Sequence, residues 1–180
     1  LPPQDADAEM ALLGSMMMSR DAITDVIPII GREASGWLYR PDHQRLFEVL
    51  LDLYDQPGKA IDLLVVRDEL RRRSLLEEVG GEDYMIQLAE SFGDWANAEH
   101  YARIVRDKGM LRDLIKACSA INDDAYAGAD DARAILDAAE KRIFEVTSRR
   151  VSGQSEPLAI ILKRLSQMLG DPDTGVTGLP

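Results

Sequence analysis

Two proline-free stretches in the second half of the chain constrain its fold more than any other feature. From about Asn97 to Ala125 only Gly109 interrupts, and Ile104, Leu111, Cys118 and Ala125 recur at intervals of seven, with Tyr101, Leu114 or Ile115, and Ile121 between them. After Gly128, where Asp130 or Asp131 can cap a helix, Ala132, Leu136, Ala139, Ile143 and Val146 alternate steps of four and three toward about Arg149. Apolar residues about 3.5 apart on average form a seam along which two helices pack lengthwise. The short Tyr126–Ala129 connection makes the pair an antiparallel hairpin, and at about 1.5 Å per residue the longer arm reaches ~40 Å. A two-helix hairpin cannot bury both faces against itself. The seam residues Ile104, Leu111, Leu136, Ala139, Ile143 and Val146 are therefore expected to serve both the contact within the hairpin and self-association with another subunit.

The first half reads as shorter helices with clear punctuation. A helix is expected from Asp5 or Asp7 to Met18, acidic in its first turn, with Ala8, Leu12 and Ser15 or Met16 as its apolar stripe. Of Met16, Met17 and Met18, one or two belong in the core, since three consecutive residues cannot share one helix face. Ser19 and Asp21 can cap a second helix carrying Ile23, Val26, Ile27 and Ile30, which Pro28 is expected to end or kink early. Pro41 suits the first turn of a third helix, with Leu46, Phe47, Leu50, Leu53 and Tyr54 on one face. Asp55-Gln56-Pro57-Gly58 is a turn, and Asp62 can cap a fourth helix to about Arg73, with Leu63, Val66 and Leu70 inward. Gly80-Gly81 breaks the chain before a short helix through Tyr84 and Leu88 to about Glu90, and the Ser91–Trp95 stretch is a loop. The fold class is thus all-α, and the chain divides into a small globular helical bundle (1–96), a long antiparallel helical hairpin (97–150) and a linker with one short helix (151–180).

That linker begins with polar Val151–Glu156, and Pro157 opens a short helix whose apolar face is Leu158, Ile161, Leu162, Leu165, Met168 and Leu169. A helix this short is marginal alone in water and needs a partner surface. The final Gly175-Val176-Thr177-Gly178-Leu179-Pro180 breaks helix and reads as the entrance to a further domain.

Charge and chemistry narrow the function. Residues 1–97 carry 9 Lys/Arg against 19 Asp/Glu, whereas 98–150 carry 10 of each. Binding to nucleic acid relies on Lys and Arg neutralising phosphates, so weak DNA binding or none is expected. Arg71-Arg72-Arg73 ends a helix and is flanked by Glu69, Glu77 and Glu78, which favours a solvated helix end over a nucleic-acid patch. His43, His100 and Cys118 are far apart, so no metal site is expected. His43, just after Pro41, is expected to join a capping network. No phosphate-cradling loop and no nucleophile–base set occurs, so neither catalysis nor a bound cofactor is expected of these residues. A lone cysteine, no apolar run of ~18 residues and no signal-peptide pattern suit a cytoplasmic protein.

Several strings together carry a family resemblance: Ala8-Glu9 with Leu13-Gly14-Ser15; Tyr39-Arg40-Pro41-Asp42-His43 with Leu46-Phe47; Ile61-Asp62-Leu63; Leu76-Glu77-Glu78-Val79-Gly80-Gly81 with Tyr84; Asn97-Ala98-Glu99-His100-Tyr101-Ala102 with Ile104-Val105-Arg106; and Gly175-Val176-Thr177-Gly178. In this order and spacing they resemble the N-terminal domain and linker of bacterial replicative DNA helicases of the DnaB family, with Phe92-Gly93-Asp94-Trp95 a departure where a proline with small residues is expected. The resemblance implies a collar on a hexameric ring, a trimer of dimers whose hairpins pack together. It implies a RecA-like ATPase beyond this chain, which would hold ATP and Mg. It implies that the linker helix docks on the adjacent subunit's motor through Leu158, Ile161, Leu162, Leu165 and Leu169. It also implies a collar that receives primase, with Tyr84, Ile115 and Ile121 as candidate contacts and a helicase loader as a further partner, in the bacterial replisome. The competing readings are a stand-alone helical adaptor or loader-like regulatory protein, and an enzyme with an unrecognised site.

Overall fold

A computed structural model describes residues 1–32, 34–91, 97–128 and 131–152, and all regular structure among them is helical. The Asp5 side chain accepts the Ala8 N–H at 3.0 Å and so opens α1 (Ala6–Met18). The expected single stripe on α1 is replaced by burial on nearly every side: Ala8, Glu9 and every residue from Ala11 to Met17 are buried. The reason is position, since α1 is the axis on which the other head helices pack. Its Ala8, Ala11, Gly14 and Ser15 leave room for them, and the Ser15 hydroxyl donates to the Ala11 carbonyl at 2.7 Å. Met16 and Met17 lie in the core and Met18 faces out.

Ser19 caps α2 (Arg20–Ile30). This helix runs through Pro28 to Ile30, contrary to the expectation that the proline would end or kink it early. Pro28 removes one donor near the C-terminal end, while the buried side chains of Val26 and Ile30 keep the last turn against the core. A 3-10 turn (Ala34–Trp37) leads to α3 (Pro41–Tyr54), which buries Leu46, Phe47, Leu50 and Leu53. Asp62 caps α4 (Leu63–Arg72) by accepting the Val65 N–H at 2.9 Å. Gly80, with φ 99°, then starts α5 (Gly81–Glu90). A Cβ at Gly80 would stand 2.8 Å from the Tyr84 Cβ, so both backbone angle and space require glycine.

Gly109 does not interrupt α6 (Ala98–Ala127), a continuous helix of 30 residues. Gly128, with φ 55°, ends it, and Asp131 opens α7 (Ala132–Ser152) by accepting the Ala134 N–H at 2.9 Å. The core crosses the position of the expected boundary at 96, because Ala98, Ala102 and Val105 are buried with the head residues. Past Arg112 the pattern changes: no described residue of α6 or α7 is buried. The first half of α6 is a head helix, and its second half with α7 is a projecting arm.

Candidate docking and assembly surfaces

A buried polar chain runs through the head. Glu9 on α1 is 2% exposed, and its Oε1 accepts the Tyr39 N–H at 2.5 Å. Its Oε2 lies 2.7 Å from Nδ1 of His43, which is 1% exposed. The Tyr84 hydroxyl stands 2.6 Å from the other ring nitrogen, Nε2. A carboxylate only accepts, so Nδ1 carries the proton toward Glu9, and in the neutral ring Nε2 accepts from the tyrosine. The Tyr84 ring stacks on His43 at 6.0 Å, with the Arg40 guanidinium 4.9 Å from its centroid. Burial pushes the Tyr84 hydroxyl above its ordinary range, with Arg40 pulling the other way. Burial also works against the Asp42 charge, yet the hydrogen bond from Arg40 holds that carboxyl below its usual value. His43 thus joins a network, as expected, but one that reaches 34 residues back to Glu9 rather than a local cap.

Tyr84, a candidate primase contact, is only partly available at the surface. Its hydroxyl is committed to His43 and its ring is half enclosed. Nor do the three candidate contacts share one helix: Tyr84 sits on α5, which packs on α1 and α4, whereas Ile115 and Ile121 lie on the arm half of α6. Ile115 is 50% exposed, and Ile121 is half-buried.

The three consecutive arginines are a neutralised helix end. Arg72 and Arg73 both donate to Glu69, Arg73 also reaches Asp52, and Arg71 pairs with Glu82. Hydrogen bonding from Arg72 and then Arg73 holds the buried Glu69 carboxyl down at about 2, against the opposing effect of burial. Arg32, Arg40, Arg45, Lys59 and Arg67 likewise stand beside carboxylates.

The six seam residues do not share one face. Ile104 is half-buried against the head's core. On α7, Ile135, Ala139, Arg142 and Val146 are half-buried, and Arg142 pairs with Asp124 of α6. Ala139 and Val146 thus lie on the inner stripe, while Leu136 and Ile143, one residue beyond Ile135 and Arg142, are 64% and 36% exposed. Leu111, Leu114 and Phe144 are 48%, 40% and 70% exposed. Met110, Leu111 and Leu114 with Val146 and Thr147 line a groove of about 460 Å³ where the arm leaves the head. The linker face Leu158, Ile161, Leu162, Leu165 and Leu169, and the loop Phe92–Trp95, lie outside the described residues. Among the described residues no cluster of His, Cys, Asp and Glu could hold a metal, and no helix is long and apolar enough to cross a membrane.

Sequence reasoning missed the burial of Glu9 and Arg112. Both are charged residues on apolar helix faces, at 2% and 8% exposure, and that placement was the available signal.

Known proteins share this architecture. The sequence profile of the DnaB-like helicase N terminal domain matches residues 1–107. The replicative DNA helicase DnaB of Geobacillus stearothermophilus is 36% identical over 183 residues, which takes in 100% of this chain and 39% of that protein. The replicative DNA helicase DnaB of Mycobacterium leprae (strain TN) is 40% identical over 164 residues, or 90% of this chain and 26% of that protein. The chain therefore spans less than half the length of these relatives. The crystal structure of the N-terminal domain of DnaB helicase from Mycobacterium tuberculosis matches with a TM-score of 0.72 and 41% identity, covering 80% of this chain and 99% of that one. With a profile match over more than half its length and an all-helical fold shared with that domain, the chain belongs to the DnaB-like helicase N-terminal domain family.

Proposed function

We propose that this chain is a collar region of a hexameric replicative helicase, which pairs with further copies through its hairpin and receives primase in the bacterial replisome. ATP- and Mg-dependent unwinding then belongs to a RecA-like motor, on which the Leu158–Leu169 face of a neighbouring subunit docks. The observation that carries this reading is the outward apolar stripe of the arm, with Leu136 64% and Phe144 70% exposed on α7 and Leu111 48% exposed on α6. Large apolar side chains grouped on a surface mark interaction sites. A stand-alone adaptor is not favoured, because the relatives matched over the whole chain are replicative helicases.

Light scattering at high protein concentration tests assembly. The unaltered chain is expected to form a dimer or larger species, and the double variant Leu136→Asp, Ile143→Asp a folded monomer, since a charge buried in a packed seam is costly. A monomeric unaltered chain overturns the reading. For primase, Ile115 is the most accessible candidate, Ile121 is half-buried, and Tyr84 keeps a half-exposed ring whose hydroxyl is bonded to His43. In calorimetric titration with the primase C-terminal domain of the same organism, Ile115→Ala should weaken binding by ~1–3 kcal/mol. No measurable binding by the assembled chain removes primase from the proposal. A loader remains a further candidate partner. Weak or absent DNA binding is expected, since most of the head's Lys and Arg side chains already face carboxylates.

A further inference from the structure

The long helix α6 leaves the head at one crowded turn. Gly109, Arg112 and Asp113 share a face of it, being three and four residues apart. Trp37 lies so close to Gly109 that a Cβ there would stand 2.6 Å from the Trp37 Cβ and Cγ. The Trp37 indole N–H donates to Asp113 Oδ2 at 3.2 Å. Arg112 Nη1 donates to the Pro3 carbonyl at 2.6 Å, and its Nη2 donates to the Trp37 carbonyl at 2.5 Å. The same guanidinium sits 5.6 Å from the Tyr39 ring centroid. One buried cation thus gathers the N-terminal segment, the 3-10 turn and the long helix.

Position separates this turn from ordinary core. Apolar packing by Ala98, Ala102 and Val105 already holds α6 to the head, and such packing has no preferred direction. A guanidinium fork satisfied by two carbonyls is directional. It occurs at the last buried residue of the helix, where a change of direction moves the whole arm.

We infer that Gly109, Arg112 and Asp113 close with Trp37 into a latch that fixes the direction in which the hairpin leaves the head. The latch thereby sets how the outward stripe of Leu136 and Ile143 is offered to a second copy, a consequence that rests on the assembly reading above. Arg112 is a positioning residue in this arrangement, and Gly109 is the gap that lets the indole seat.

A distance measurement within one protomer tests the latch without depending on assembly. Cys118 is exposed on the arm, and Glu48→Cys on the outer face of α3 supplies a second labelling site. Doubly spin-labelled chains, diluted into unlabelled ones, report the head-to-arm distance by pulsed electron resonance. The unaltered chain should give one narrow distribution. Arg112→Lys, which keeps the charge but cannot span two carbonyls as a fork, should at least double its width while the head keeps its unfolding midpoint. Trp37→Phe, which loses the indole donor, should broaden it less. Arg103→Ala, on the exposed face of the same helix, should leave it unchanged. A broad distribution in the unaltered chain, or unchanged widths in both Arg112→Lys and Trp37→Phe, overturns the latch. Loss of the folded head in Arg112→Lys also overturns it, because the turn would then be part of the core. A monomer with a narrow distribution would remove the assembly reading and leave the latch standing.

Discussion

Helices α1 and α7 are both rich in apolar residues and meet opposite fates. In α1 the apolar and small residues run almost unbroken from Met10 to Met18, and the helix is enclosed on nearly every side. In α7 the apolar residues are spaced among Asp137, Glu140, Lys141, Arg142 and Glu145, and no described side chain is buried. The difference teaches where each part draws its stability. The head closes its own core, whose last buried hydrophobic residue is Val105. The arm covers one stripe and leaves another to water.

The sharpest way to break this contrast is a pair of truncations in the two regions. Phe47 is fully buried in the head, and Phe47→Ala should cost ~3–5 kcal/mol in denaturant unfolding. A loss under ~1 kcal/mol would mean the head is less tightly closed than its burial indicates. Next in size is the acid response of the head. Hydrogen bonding from Arg72 lowers the Glu69 carboxyl from 4.5 to about 2 in the folded chain. Its contribution is complete above pH 4.5 and is lost as pH falls from there toward 2. Stability curves of the unaltered chain and Glu69→Gln should therefore converge in that window, and parallel curves would contradict the assignment. Gly80→Ala should cost ~1–2 kcal/mol for its left-handed backbone angle. It should also shift the His43 ring resonances, because Tyr84 must move; an unshifted ring would separate Gly80 from the Glu9–His43–Tyr84 chain. The smallest effect belongs to the arm. Leu136→Ala, measured at a concentration where the chain is monomeric, should change stability by less than ~0.5 kcal/mol. A larger loss would show that the outer stripe supports the hairpin itself.

The head's element boundaries were legible because they are local. Ser19, Pro41, Asp62 and the Gly80-Gly81 pair act on backbone groups within a few residues, so their meaning survives without tertiary context. Pro28 misled because burial of Ile30, a tertiary effect, outweighed a local breaker. The polar chain was only half legible: His43 announced a network, but its partner Glu9 lies on another helix and carries no local sign of burial. The seam was ambiguous for a different reason. On α7, Ile135 and Leu136 are adjacent, so two stripes one residue apart fit the heptad, and periodicity cannot choose which one faces α6. The latch was invisible, since Trp37, Arg112 and the Pro3 carbonyl come together only when the fold closes.

The unbroken run of α6 beyond Arg112 has a mechanical consequence. The same unbroken rod is clamped at Arg112 and carries the turn at Ala127, so ~22 Å of stiff helix stands between pivot and tip. A tilt of about 10° at the pivot sweeps that tip through ~4 Å, about a side-chain width. A helix unbroken over this span works as a lever, turning a small angle at the pivot into displacement at the tip.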